Sequence, residues 1–130
     1  MENAFASRPR VFVVDDEIEI AKLLVVILQM NLFDAVPFAN PQAALEAARA
    51  EAPDYLISDI VMPEMTGIEL AIAIRREIPT CKILLFSGQA ATADLLQKAR
   101  TEGHVFGILV KPIDPKELIA KLRDILLTMP

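Results

Sequence analysis

Five polar residues stand where short apolar runs end: the pair Asp15-Asp16, Asp59 behind Ser58, Ser87 and Lys111. Three carboxylates, a hydroxyl and a primary amine are a set that can hold a divalent cation beside a phosphoryl group. Carboxylates crowded on a low-dielectric rim repel one another and need either raised pKa values or a cation to coexist. A hard ion such as magnesium suits them, because it takes oxygen ligands and keeps part of its hydration shell. Lys111 offers a compact positive charge and Ser87 a donor, the complement of phosphoryl oxygens rather than of a neutral substrate. Cys81 and His104 are the only residues of their kinds, too few for a zinc or iron–sulfur site.

Taken singly, each of these residues has an ordinary explanation. An Asp-Asp pair can open a loop and cap a helix, Asp59 and Ser87 can be turn residues, and Lys111 can be a solvated surface lysine. Only elements that bring them to one place give them chemical meaning.

Those elements are legible. Runs rich in β-branched and aromatic residues recur at Val11–Val14, Tyr55–Ile57, Ile83–Phe86 and Val105–Val110, with a weaker one at Phe33–Phe38. Each is strand-length. They are continuously apolar, as a parallel sheet covered on both faces requires. Helical segments alternate with them, at about Ile18–Met30, Thr66–Glu77 and Thr92–Glu102. Two more begin at Asn40-Pro41 and Asp114-Pro115, where a capping side chain precedes proline at the first helical position. Glu117 makes a capping box with Asp114, Ile113 and Leu118 form a staple, and Leu118, Leu122, Ile125 and Leu126 make an inward stripe. Strict alternation implies a doubly wound five-stranded parallel sheet with helices on both faces. In such a sheet ligands bind at the carboxyl ends of the strands. Asp15-Asp16, Ser58-Asp59, Ser87-Gly88 and Lys111-Pro112 all fall there, on one edge.

Composition narrows the rest. A chain of 130 residues with 54% hydrophobic content can bury one core unaided. A net charge of -5 and a pI near 4.8 argue against affinity for nucleic-acid phosphates or anionic lipid. The lone Cys81 fits a reducing compartment, and no run reaches the ~20 apolar residues of a membrane helix. A soluble, cytoplasmic protein is expected, with residues 1–9 a disordered tail, 10–130 one domain and no room for an attached output domain.

Together these residues resemble the receiver domains of two-component response regulators. The likeness runs from about Arg10 to Leu127 and rests on Asp15-Asp16, Asp59 with Met62-Pro63 and Gly67 after it, Ser87-Gly88 and Lys111-Pro112. It implies a flavodoxin-like strand order 2-1-3-4-5. It implies, too, that Asp59 accepts a phosphoryl group from a phosphohistidine of a sensor histidine kinase or histidine phosphotransfer protein, as an aspartyl phosphate in phosphorelay signal transduction. By the same match Asp16, Asp59 and the Val61 backbone carbonyl hold Mg2+, with Asp15 reaching it through water. Lys111 contacts the phosphoryl group from a cis Lys111-Pro112 peptide, and Ser87 moves to bond it. The resemblance implies a phosphoacceptor switch that assists its own phosphorylation and dephosphorylation, acting on a downstream protein rather than turning over substrate.

One position departs from the family pattern. Where many receivers carry a tyrosine or phenylalanine three residues before the lysine, this chain has Ile108. Phe106 lies on the same strand face, as a substitute aromatic or a core residue. The switch is therefore expected to act through the loop after Ser87 and the helix near Thr92–Glu102. Leu95, Leu96 and Ile108 are candidates for a partner face or for core, Cys81 for a buried residue opening a strand, and His104 for an exposed loop residue. Competing functions are a phosphorylation-independent pseudo-receiver, a haloacid-dehalogenase-like hydrolase and a flavin-binding module. The hydrolase expects first-strand aspartates one residue apart and a substrate cap, and Asp15-Asp16-Glu17 would repel a flavin phosphate.

Overall fold

The computed structural model describes residues 8–88 and 92–128. Five strands alternate with five helices: β1 Arg10–Val14, α1 Ile18–Met30, β2 Asp34–Phe38, α2 Pro41–Ala50, β3 Tyr55–Asp59, α3 Gly67–Glu77, β4 Lys82–Ser87, α4 Thr92–Thr101, β5 Gly107–Val110 and α5 Pro115–Thr128. The strands form one parallel sheet in the order β2-β1-β3-β4-β5. This is the doubly wound sheet expected from the alternation, in the flavodoxin-like order that the resemblance implies.

Side chains of a strand alternate between faces, and here the alternation sorts the core into two layers. Val11, Val13, Tyr55, Ile57, Leu84, Phe86 and Leu109 pack with α1 and α5. Phe12, Val14, Leu56, Ile83 and Leu85 pack with α2, α3 and Ala99 of α4. The central strands β1 and β3 are buried almost throughout, as continuous apolar runs require. At the two edges the expectation needs correcting. β2 and β5 are only partly covered, because an edge strand has a neighbour on one side alone and its outer row meets solvent.

The fifth strand is also shorter than expected. Val105 and Phe106 are apolar and β-prone yet lie before it, with Val105 63% exposed. Cys81 is buried but precedes β4 rather than opening it. His104 is half-buried, its ring stacked on Phe106 with centroids 6.2 Å apart.

Local signals fix the helix starts. The Asn40 side chain accepts from the amides of Gln42 and Ala43. Asp114 accepts from the Lys116 amide at 3.0 Å, and Ile113 packs on the cluster containing Leu118. A full capping box, not anticipated, opens α3: the Glu69 amide donates to Thr66 Oγ1, and the Thr66 amide to Glu69 Oε1. Thr66, expected inside that helix, is therefore its cap. In α5, Leu118 and Leu122 are fully buried and Ile125 is partly so; the Leu126 side chain lies outside the described residues, as do 1–7 of the expected tail.

Candidate functional site

The carboxyl edge of the sheet gathers most of the predicted residues. Asp15 follows β1, where its amide continues the ladder by donating to the Phe38 carbonyl at 3.0 Å. Asp59 ends β3 and Ser87 ends β4. Lys111 follows β5, its amide donating to the Ser87 carbonyl at 2.9 Å. The Asp15, Asp16 and Asp59 carboxylates approach so closely that one oxygen from each lies within 4.8 Å of the others. Lys111 Nζ donates to Asp59 Oδ2 at 3.1 Å and lies 5.2 Å from the centre of the Phe86 ring. Asp16, Asp59, Val61 and Lys111 are among the residues lining a cleft of ≈ 780 Å³.

Asp15 is the electrostatic centre of the problem. It is 1% exposed. Its Oδ1 accepts from the Glu17 amide at 2.9 Å, while Oδ2 is buried without a hydrogen-bond partner among the described residues. Burial, aided by the neighbouring Asp59 and Asp16 carboxylates and opposed by the Glu17 amide and Lys111, pushes its carboxyl up to about 6. An unpartnered buried oxygen among three crowded carboxylates fits a hydrated divalent cation, which offers positive charge and water donors together. Asp16 is exposed and free of that burial.

Strand alternation also divides the site. Asp59 continues the row of Tyr55 and Ile57, and Lys111 that of Leu109, on the face covered by α1 and α5. Ser87 continues the row of Ile83 and Leu85, on the face of α3 and α4. Asp59 and the Lys111 amine thus share one side, and the Ser87 hydroxyl borders the other.

A family model for the response regulator receiver domain matches residues 11–123. The chain belongs to this family. Receiver domains are the phosphoacceptor modules of two-component systems, and the acidic trio fits the acidic pocket of such a module. The DNA-binding response regulator MtrA of Mycolicibacterium paratuberculosis is 30% identical over 118 residues, covering 89% of this chain and 50% of that protein. The probable transcriptional regulatory protein TcrX of Mycobacterium tuberculosis is 27% identical over 97% of this chain and 53% of its own length. This receiver thus spans about half the length of the curated relatives it matches. Among solved structures, the Vibrio cholerae chemotaxis protein CheY4 superposes with a TM-score of 0.80 at 30% identity, over 91% of this chain and 98% of that one. No helix among the described residues is long and apolar enough to cross a membrane.

Sequence reasoning named Gly67 as a motif residue without a role, and the fold supplies one. Its amide donates to the Ile60 carbonyl at 2.9 Å, and a Cβ built there falls deep inside contact with the Asp59 carbonyl oxygen and 2.9 Å from its carbon. Only glycine lets α3 seat against the backbone that carries Asp59. Phe86, read from sequence only as the end of a strand-length apolar run, also serves as the surface over which the Lys111 ammonium lies. The expected cis Lys111-Pro112 peptide is present. Leu96 and Ile108 pack against the core, and Leu95 is 38% exposed. Phe106 is half-buried against the same layer, with the Arg75 guanidinium 4.5 Å from its ring centre.

Proposed function

We propose that this receiver domain takes a phosphoryl group onto Asp59 from a phosphohistidine of a sensor histidine kinase or a histidine phosphotransfer protein, with Mg2+ bound. The observation carrying this is the 3.1 Å pair between Lys111 Nζ and Asp59 Oδ2 beside the carboxylates of Asp15 and Asp16. A carboxylate so placed is a nucleophile aimed into a cleft, with a fixed cation ready for the incoming phosphoryl oxygens. Asp16, Asp59 and the Val61 carbonyl would hold the ion, with Asp15 acting through water. Bound there, the ion neutralises charge on the transferring group.

In this proposal the Asp59 carboxylate oxygen forms the new bond to phosphorus while the phosphorus–nitrogen bond of the donor phosphohistidine breaks, its electron pair leaving with the imidazole nitrogen. Lys111, paired with Asp59 before transfer, then contacts a phosphoryl oxygen, and the Ser87 hydroxyl turns to donate to another. Because Ser87 borders the face of α3 and α4, its movement reaches α4 more directly than it reaches α1 or α5. The result is a binary switch read by another protein rather than sustained turnover. A pseudo-receiver, the alternative, needs none of the Lys111, Asp59 and Asp15 geometry.

The test is incubation with magnesium and acetyl phosphate followed by mass spectrometry. One phosphoryl group is expected, lost on Asp59→Asn. An unmodified wild-type protein, or modification surviving Asp59→Asn, would refute the assignment.

A further inference from the structure

The cleft holding Asp59 is larger than a phosphoryl group and a hydrated ion require. At ≈ 780 Å³ it is the size of a small-molecule site. Its charged lining residues all come from the carboxyl ends of strands: Asp16 and Glu17 follow β1, Asp59 ends β3 and Lys111 follows β5. The rest of the lining is uncharged, and includes Ile20, Leu23, Leu24 and Ile27, which run along α1 away from Asp16 and Glu17, together with Pro112 and Ile113. Ile20, Leu23 and Ile27 are spaced three and four apart, so they form one stripe along the helix. Leu23 is 61% exposed at its margin.

A phosphodonor bound in line with Asp59 has its leaving group on the far side of phosphorus, on the cleft side. We infer that this apolar wall receives the leaving group, and that the domain prefers small acyl phosphates with an uncharged alkyl tail. The inference rests on the phosphoacceptor reading of Asp59. In the step, the Asp59 oxygen bonds to phosphorus while the bond from phosphorus to the acyl oxygen breaks. The electron pair leaves with the carboxylate, and no proton or further reactant is needed. Charge complementarity selects the tail: the phosphoryl end meets Lys111, whereas an anionic tail would meet Asp16, Glu17 and a wall that cannot solvate it.

The experiment compares the rates of Asp59 phosphorylation by acetyl, butyryl, hexanoyl and succinyl phosphate in magnesium, read by intact mass. A fully buried methylene is worth about fourfold and a half-covered one in an open groove about twofold. Hexanoyl phosphate should therefore act on the order of tenfold faster than acetyl phosphate, and succinyl phosphate more slowly than butyryl. The hexanoyl-to-acetyl ratio should collapse in Leu23→Asn and Ile27→Asn. It should persist in Met30→Asn, which alters an exposed apolar residue of α1 outside the cleft. As a readout without transfer, hexanoylphosphonate should shift the amide resonances of Ile20, Leu23 and Ile27 in Asp59→Asn protein. Equal rates across the chain lengths, with Asp59 modified by all, would overturn the inference and leave the phosphoacceptor reading intact. Absence of Asp59 modification by every donor would overturn both.

Discussion

Replacing Gly67 by alanine is expected to destabilise the domain and slow phosphorylation together. On helix propensity alone the change is favourable, by about 0.5–1 kcal/mol in a solvent-facing helix. The packing reverses the sign. The added Cβ would fall 2.9 Å from the Asp59 carbonyl carbon and 3.0 Å from Ile60 Cα, and closer still to the Asp59 oxygen. All three are backbone atoms, so no side chain can rotate out of the way. The oxygen also accepts the Ser58 hydroxyl at 2.9 Å, which keeps it from turning aside freely. Relief requires α3 to retreat by roughly an ångström, stretching the bond from the Gly67 amide to the Ile60 carbonyl. Overpacking of this kind costs about 1–3 kcal/mol and a weakened backbone bond about 1 kcal/mol. Less the propensity gain, the net cost of ~1–3.5 kcal/mol corresponds to a fall in Tm of roughly 4–13 °C at this chain length. Thermal unfolding followed by circular dichroism measures it. Gly103→Ala is the comparison: there φ is +93° and nothing lies within 4 Å of the added carbon, so only the left-handed strain of ~1 kcal/mol applies. A Gly67→Ala protein as stable as wild type, or more so, would refute the close-approach argument.

Three further outcomes follow from the site. The Asp15 carboxyl is raised to about 6 by burial, so the metal-free folded state binds a proton that the unfolded chain releases near its ordinary value. That contribution to stability is complete below about pH 4 and is lost as pH rises through 6. In EDTA, melting temperatures between pH 4 and 7.5 should fall more steeply for wild type than for Asp15→Asn; parallel curves would contradict the burial of the charge. With excess magnesium the wild-type trend should reverse, because the ion binds the ionised carboxylates. Lys111→Met removes the cation 3.1 Å from Asp59. Magnesium should then bind on the order of three- to tenfold tighter by calorimetry while phosphorylation slows about 100-fold or more. Weaker magnesium binding would show that the lysine does not share the field of the acids. Finally, amide exchange with and without a phosphate mimic should change most in α4. Largest changes at Ile108 and Phe106 would mean that β5 carries the signal despite lacking the usual aromatic.

The succession of apolar runs and capped helical segments was enough to specify the alternation, and hence a parallel sheet, because hydrophobic period and capping chemistry act within a few residues. The same local logic put Asp15, Asp59, Ser87 and Lys111 at strand ends. It stopped where burial depends on a neighbour distant in sequence. Val105 and Phe106 carry strand-like side chains, yet the strand begins only at Gly107, where pairing with Leu84 starts; which residues a sheet edge recruits is a property of the partner strand. Asp15 and Asp16 are adjacent and chemically alike, but one is buried with an unpartnered oxygen and the other is exposed. Only the packed fold could separate them, because desolvation is set by everything that surrounds a group and not by its own identity.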